Sequence, residues 1–333
     1  MVGVPEGPHG RRADRRRVVA TGLGVVSRIG IGPVEFAAGL RAGRSGVAPI
    51  TAFDTTGYAH SNGCPVTDSD PSDWVYHATL PELGRAARFT AAAGRMAALA
   101  SGLAPARLRA ARCQISIGTT DGESHDLDRL AAASVSQLSS PAVSESALQS
   151  VSQSASQQPV DPQQPVDPTP RLSRLARPAS GAVPLGEGAA ALRLTPDPTE
   201  PALASGLAVD SGYAAPDAAV GEVVRDVVRR ALERAGIEDP GEVWAALPSG
   251  LSPAERSTLL DLFGGETVDR LPTPGELLGD TGAATDAFQL ATALAAAPEA
   301  PGHVAVLRCT DPDGTVAAAV LRLESPGKLG RES

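Results

Sequence analysis

Residues 131–170 constrain this chain more than any other stretch. They hold no lysine, no arginine and no aromatic residue, and their only acids are Glu145, Asp161 and Asp167. Within them the hexapeptide Gln-Gln-Pro-Val-Asp-Pro occurs in tandem, at 157–162 and 163–168. Such a sequence cannot bury enough apolar surface to offset its chain entropy, so it predicts a flexible linker. No PxxP core with a flanking arginine marks it as a proline-rich ligand. The 333 residues therefore divide around this insert. We read a disordered basic arm (1–16), a first block (17–130) and a Ser/Gln/Pro linker (131–178). A short remainder of the first block (179–200), a second block (201–325) and a tail (326–333) follow.

Hydrophobic residues make up 42% of the chain but aromatics only 3%, so the core must be built from Ala, Val and Leu. The net charge of −9 argues against a nucleic-acid binder, which needs a basic face. Cys64, Cys113 and Cys309 are too few and too scattered for a disulfide framework or a zinc site. No apolar run reaches the length of a membrane span. Glycines interrupt the apolar stretch after the arginine-rich arm, which argues against a secretory leader. The expectation is a soluble cytoplasmic protein in a reducing compartment.

Periodicity supplies the elements. Val18-Val19-Ala20 predicts a short strand ending at Thr21-Gly22-Leu23-Gly24, and 34–42 a helix. Residues 82–103 predict a helix with Leu83, Ala87, Thr90, Gly94 and Ala98 on one face, small enough for close packing. Residues 114–117 predict a strand, left by the loop 118–122. Residues 182–194 predict a strand, a Gly186-Glu187-Gly188 turn and an alternating strand. Residues 218–235 form the clearest amphipathic pattern. Val220, Val223, Val224, Val227, Val228, Ala231 and Leu232 lie inside, and Gly236 caps the end. A strand at 243–247, a helix at 252–263 opened by Pro253 and an Ala-rich helix at 280–297 follow. Strands at 304–308 and 315–323 around Asp311-Pro312-Asp313-Gly314 predict a hairpin.

Chemistry is hard to find. Gly22-Leu23-Gly24 lacks the third glycine and the distal acid of a dinucleotide fingerprint and predicts a tight turn. No G-x-S-x-G elbow occurs. His9, His60, His77, His125 and His303 stand outside any motif and read as surface residues. Cys113 and Cys309 read as small buried hydrophobes. Cys64 with His60 makes one H-x3-C pair, too little for a metal. Asp311–Gly314 lacks the spacing and the glutamate of a calcium loop. No catalytic, cofactor or metal residue is therefore assigned, and no cofactor is expected.

The runs RRVVATGLGVVSRIGIG (16–32) and LRAGRSGVAPITAFDTTGY (40–58) closely resemble the opening of the β-ketoacyl–acyl-carrier-protein synthases. LGRAARFTAAAGRMAALASGL (83–103), ISIGTTDGE (115–123) and SGAVPLGEGAAALRL (180–194) are similar to later elements of that family's first half. Residues 220–236, 277–295 and 304–323 are similar to elements of its second half. The resemblance implies an α/β, thiolase-like fold of two related halves, each a mixed sheet covered by helices. Blocks 17–130 with 179–200 and 201–325 would be those halves, the first of them incomplete.

In that family a cysteine on an elbow takes the acyl chain from a carrier protein, and two histidines support decarboxylation and the oxyanion. This chain departs at each point. No cysteine lies between Gly118 and Gly186, where the elbow belongs. The H-G-T-G-T position reads Ala246-Leu247-Pro248-Ser249-Gly250-Leu251. The K-x-x-x-G-H position places Gly275 for the lysine and Asp280 for the histidine. The resemblance leans to the chain-length factor, the ketosynthase β branch of type II polyketide synthases, in the style of residues 243–255 and 183–188. It implies a non-catalytic partner of an active ketosynthase in a heterodimer, without nucleic acid or membrane. One alternative is a decayed pseudo-ketosynthase acting as scaffold or acyl-carrier-protein binder, with Arg225, Arg229, Arg230 and Arg234 facing the acidic carrier. Another is an acyltransferase with relocated residues, Cys113 or Cys309 taking the acyl group.

Overall fold

The computed structural model describes residues 18–51, 54–56, 60–67, 73–74, 83–102, 106–107, 114–117, 184–196, 199–215, 219–310 and 314–324. The predicted arm, linker, tail and 118–122 loop lie outside them.

Strand β1 (Val18–Ser27) runs through Gly22 and Gly24 instead of turning there. The tight turn predicted at these glycines is therefore corrected, and the cause is steric. Helix α2 (Arg85–Ala100) lies directly on the strand. A Cβ at Gly22 would sit 2.0 Å from the Ala97 carbonyl oxygen, and one at Gly24 1.9 Å from that of Ala93. Glycine is the residue that lets two backbones approach so closely. The close packing predicted for α2 is present, but its buried face is Phe89, Ala92, Ala93, Met96 and Ala97. Gly94, placed on the inner face by the sequence reading, looks onto open space.

The first block also holds β2 (Gly30–Ile31), α1 (Pro33–Arg41) and the small pair β3 (Ala48–Pro49) with β4 (Asn62–Gly63). Pro33 opens α1, where its missing N–H costs nothing. Residues 114–117 form no strand; Ile115 and Ile117 are exposed and touch neither core. Beyond the insert come β5 (Ala189–Thr195) and β6 (Ala204–Tyr213). The sequence reading did not find β6, because Gly206, Asp210, Ser211 and Gly212 blur its alternation.

The second block continues with α3 (Val220–Ala235), closed by Gly236 at φ 76°, and β7 (Val243–Leu247). Next come α4 (Pro253–Phe263) and two short helices missed in the sequence, α5 (Gly265–Val268) and α6 (Pro274–Leu278). Helix α7 spans Thr285–Ala296, starting later than predicted because a 3-10 turn occupies Gly282–Ala284. Strands β8 (Val304–Thr310) and β9 (Thr315–Leu323) pair as the predicted hairpin.

One mixed sheet joins strands from both blocks, in the order β2-β1-β6-β9-β8-β7, with β5 also on β1. Only β7 and β8 run parallel; the other pairs are antiparallel. In β9, Val316, Ala318 and Val320 face α3 and α4, while Ala319, Leu321 and Leu323 face α7. Helix α7 is enclosed between the blocks, with Phe288 against Phe36 of α1 at 6.1 Å between ring centroids. Its Ala and Leu side chains replace the missing aromatic bulk. The fold is thiolase-like α/β, as the resemblance implied.

Candidate functional site

The candidate site lies where segments from both blocks converge. Residues 184–187 thread between Cys64 and Asp280. Cys64 N donates to Leu185 O at 3.0 Å, Gly186 N to Asp280 O at 2.8 Å, and Asp280 N to Pro184 O at 2.8 Å. A Cβ at Gly186 would lie 1.9 Å from the Leu278 carbonyl oxygen, so the G-E-G motif is required by packing. Glu187 is its anchor. Its carboxylate accepts Arg85 Nε at 2.9 Å, Arg85 Nη2 at 2.5 Å and the Val66 amide at 2.7 Å. Arg85 in turn lies over the Phe89 ring at 4.7 Å. A bidentate guanidinium–carboxylate pair of this kind fixes orientation as well as energy.

The two loops assigned to histidines by the resemblance are neighbours. Gly275 N donates to Ser249 O at 3.0 Å, and a Cβ at Gly275 would stand 2.5 Å from that oxygen. Glu255, fully buried, accepts the Ser249 amide at 2.8 Å and the Ser249 hydroxyl at 2.5 Å. Ser252 caps α4 by accepting the Glu255 amide at 3.3 Å. In a capping box the glutamate would reach back to the cap residue; here it holds the preceding loop. Gln289 Nε2 of α7 donates to Leu247 O at 3.0 Å. The loop after β7 is thus tied by side chains from α4 and α7, and it supplies no general base. Asp280 caps the next turn by accepting the Gly282 amide at 2.9 Å. Sequence reasoning missed the Glu255–Ser249 tie, although S-x-x-E at 252–255 was its legible trace.

Among the described residues, the remaining candidates are Cys64, His60 and His303. Cys64 is buried, and burial pushes its thiol up to about 11, with Arg28 pulling weakly the other way. A thiol so raised is a poor nucleophile at neutral pH. His60 is exposed, and His303 stacks on Trp244 at 5.3 Å. His9, His77, His125 and Cys113 lie outside the described residues, as does the Cys309 side chain. The arginine face of α3 is largely spent on the chain's own acids. Arg225 pairs with Asp261, Arg230 with Asp210 and Asp226, and Arg234 with Asp210. Burial alone would raise the Asp210 carboxyl. Hydrogen bonds from Arg230 and the Ser211 amide, with the charges of Arg230 and Arg234, bring it below its ordinary value. Arg229 is exposed. A cleft of about 130 Å³ beside Ser27, Arg28, Arg44 and Thr67 is smaller than the few hundred Å³ of ordinary ligand sites. Among the described residues no His, Cys, Asp and Glu group could hold a metal, and no helix is long and apolar enough to cross a membrane.

Comparison with known proteins agrees with the fold. Residues 15–157 match the family described as β-ketoacyl synthase, N-terminal domain. The chain is 35% identical over 109 residues to 3-oxoacyl-[acyl-carrier-protein] synthase 2 of Coxiella burnetii, covering 33% of this chain and 26% of that one. It is 35% identical over 116 residues to actinorhodin polyketide putative β-ketoacyl synthase 1 of Streptomyces coelicolor, covering 34% and 25%. The matched stretch thus spans about a quarter of these relatives. Among solved structures, the ishigamide ketosynthase/chain length factor superposes with a TM-score of 0.69 at 23% identity, covering 93% of this chain and 99% of that one. The N-terminal part of the chain is thus similar to the N-terminal domain of the β-ketoacyl synthases, and the fold of the chain is that of a ketosynthase.

Proposed function

We propose that this chain is a non-catalytic, chain-length-factor-like subunit that pairs with an active β-ketoacyl synthase. The observation that carries the reading is the state of the two loops where the family resemblance expects its histidines and lysine. Ser249, Gly275 and Asp280 stand there, and Glu255 and Gln289 tie the first loop by buried hydrogen bonds. Condensation needs a thiolate, a decarboxylating base and an oxyanion donor in one place. The Cys64 thiol, raised to about 11, also supports a passive role. The likeness to the ishigamide ketosynthase/chain length factor supports the choice of partner class.

The test is co-expression with an active type II ketosynthase. A 1:1 complex on size exclusion is expected, and its product length should change when this chain is withheld. Failure to form any complex, or products unaffected by its absence, would refute the reading. Acid–base condensing activity in the isolated chain would refute it equally.

A further inference from the structure

Residues 103–183 separate two sets of elements that the fold nevertheless merges. Of this connector only 106–107 and 114–117 are described, and Ile115 and Ile117 there are 80% and 62% exposed. The contact between residues 18–102 and residues 184–324 is by contrast continuous. Strand β1 pairs with β5 from Val19↔Thr195 to Val26↔Ala189, and with β6 from Val18↔Gly206 to Ala20↔Ala204. Outside these ladders, Leu203 N donates to Ala20 O at 2.7 Å and Gly46 N to Leu277 O at 2.7 Å. Phe36 and Phe288, both fully buried, meet across the same boundary. Arg85 and Glu187 form their bidentate pair across it.

We propose that this contact is a complete protein–protein interface: residues 18–102 hold residues 184–324 without any covalent connection. The fitting partner of the N-terminal block is a polypeptide that presents β5, β6 and the 184–188 loop. Strand addition supplies the backbone bonds, and the alternate side chains of β1 give the specificity. Leu23 and Val25 enter the α7 side, while Gly22 and Gly24 seat α2 on the other. A covalent connector contributes an effective concentration of only about 1 mM. Cutting it at about 1 μM protein therefore lowers the local concentration roughly 1,000-fold. An interface that pairs strands and buries a shared core withstands that loss. The inference does not rest on the proposed role in a synthase.

The experiment uses the full chain with a site-specific protease sequence inserted between Pro162 and Gln163. After complete cleavage, both fragments should elute together at the volume of the uncut chain, and the melting temperature should rise with protein concentration. Fragments that elute separately, or an N-terminal fragment that precipitates alone, would overturn the proposal. Glu187→Gln tests the interface itself. In the cut chain it should speed exchange with labelled fragment by about 10-fold or more, while the uncut variant keeps its circular dichroism spectrum. An unchanged exchange rate would show that the fragments hold together elsewhere, which also overturns it.

Discussion

Replacing Gly24 by alanine tests how β1 and α2 fit. The new Cβ would lie 1.9 Å from the Ala93 oxygen, 2.7 Å from the Ala97 nitrogen and 2.8 Å from the Met96 Cβ. A separation of at least 3.0 Å requires α2 to retreat by about 1.1 Å. A gap of that size forfeits a quarter to a half of each dispersion contact along the helix face. That face carries Phe89, Ala92, Ala93, Met96 and Ala97, so the loss is shared by the whole helix. We expect Gly24→Ala to cost about 3 kcal/mol, the upper range for overpacking. For an ordered region of this size the melting temperature should fall by roughly 6–12 °C. Gly94→Ala is the internal control. It lies in the same helix with nothing within 4 Å of its added carbon, so it should gain about 0.5–1 kcal/mol. Thermal and urea unfolding of both variants decide the matter. A Gly24→Ala melting temperature within 1 °C of the parent would refute the seating of α2 on β1.

Three further predictions concern two buried titratable groups. In a chain carrying Cys113→Ser and Cys309→Ser, a thiol reagent at pH 8 should leave native Cys64 unlabelled and react fully in denaturant; fast native labelling would contradict its burial. The unfolded thiol ionises near 9.0 while the folded one holds its proton to about 11, so stability should decline as pH rises between them, and Cys64→Ala should remove that decline. Asp210, held below its ordinary value by Arg230 and Arg234, contributes stability above the unfolded carboxylate range that is lost as pH falls through its folded pKa. Asp210→Asn should therefore unfold earlier in urea at pH 7, and the difference should close as pH falls below the ordinary carboxylate range; a constant gap would point to packing instead.

Elements with one clean period were legible. Helix α3 was readable because its valines recur at helical spacing and Gly236 stops it, and the β8–β9 hairpin because its alternation flanks the sequence Asp-Pro-Asp-Gly at 311–314. Strand β6 was not, since Gly206 and Ala208 flank a register shift and Asp210 faces inward to meet Arg230 and Arg234. A buried acid in a strand reads as surface until its partner, twenty residues on, is placed. The loops of the candidate site were located through the family resemblance alone. Their state was not, because Glu255 could equally have capped its own helix.

The sequence by itself determined the α/β class and the likeness of its N-terminal part to the β-ketoacyl synthases, since those are properties of residue identity and spacing. Only the tertiary structure decided which backbone the glycines serve. Gly22 and Gly24 make room for Ala97 and Ala93, and Gly186 for Leu278, from segments that are far away in the chain. The same holds for the 131–170 tract that first divided the molecule. Its composition predicts where the chain can be interrupted, whereas β1 pairing with β5 and β6 decides that the two sides form one sheet. Strand pairing and close approach are relations between distant residues, and no local pattern encodes them.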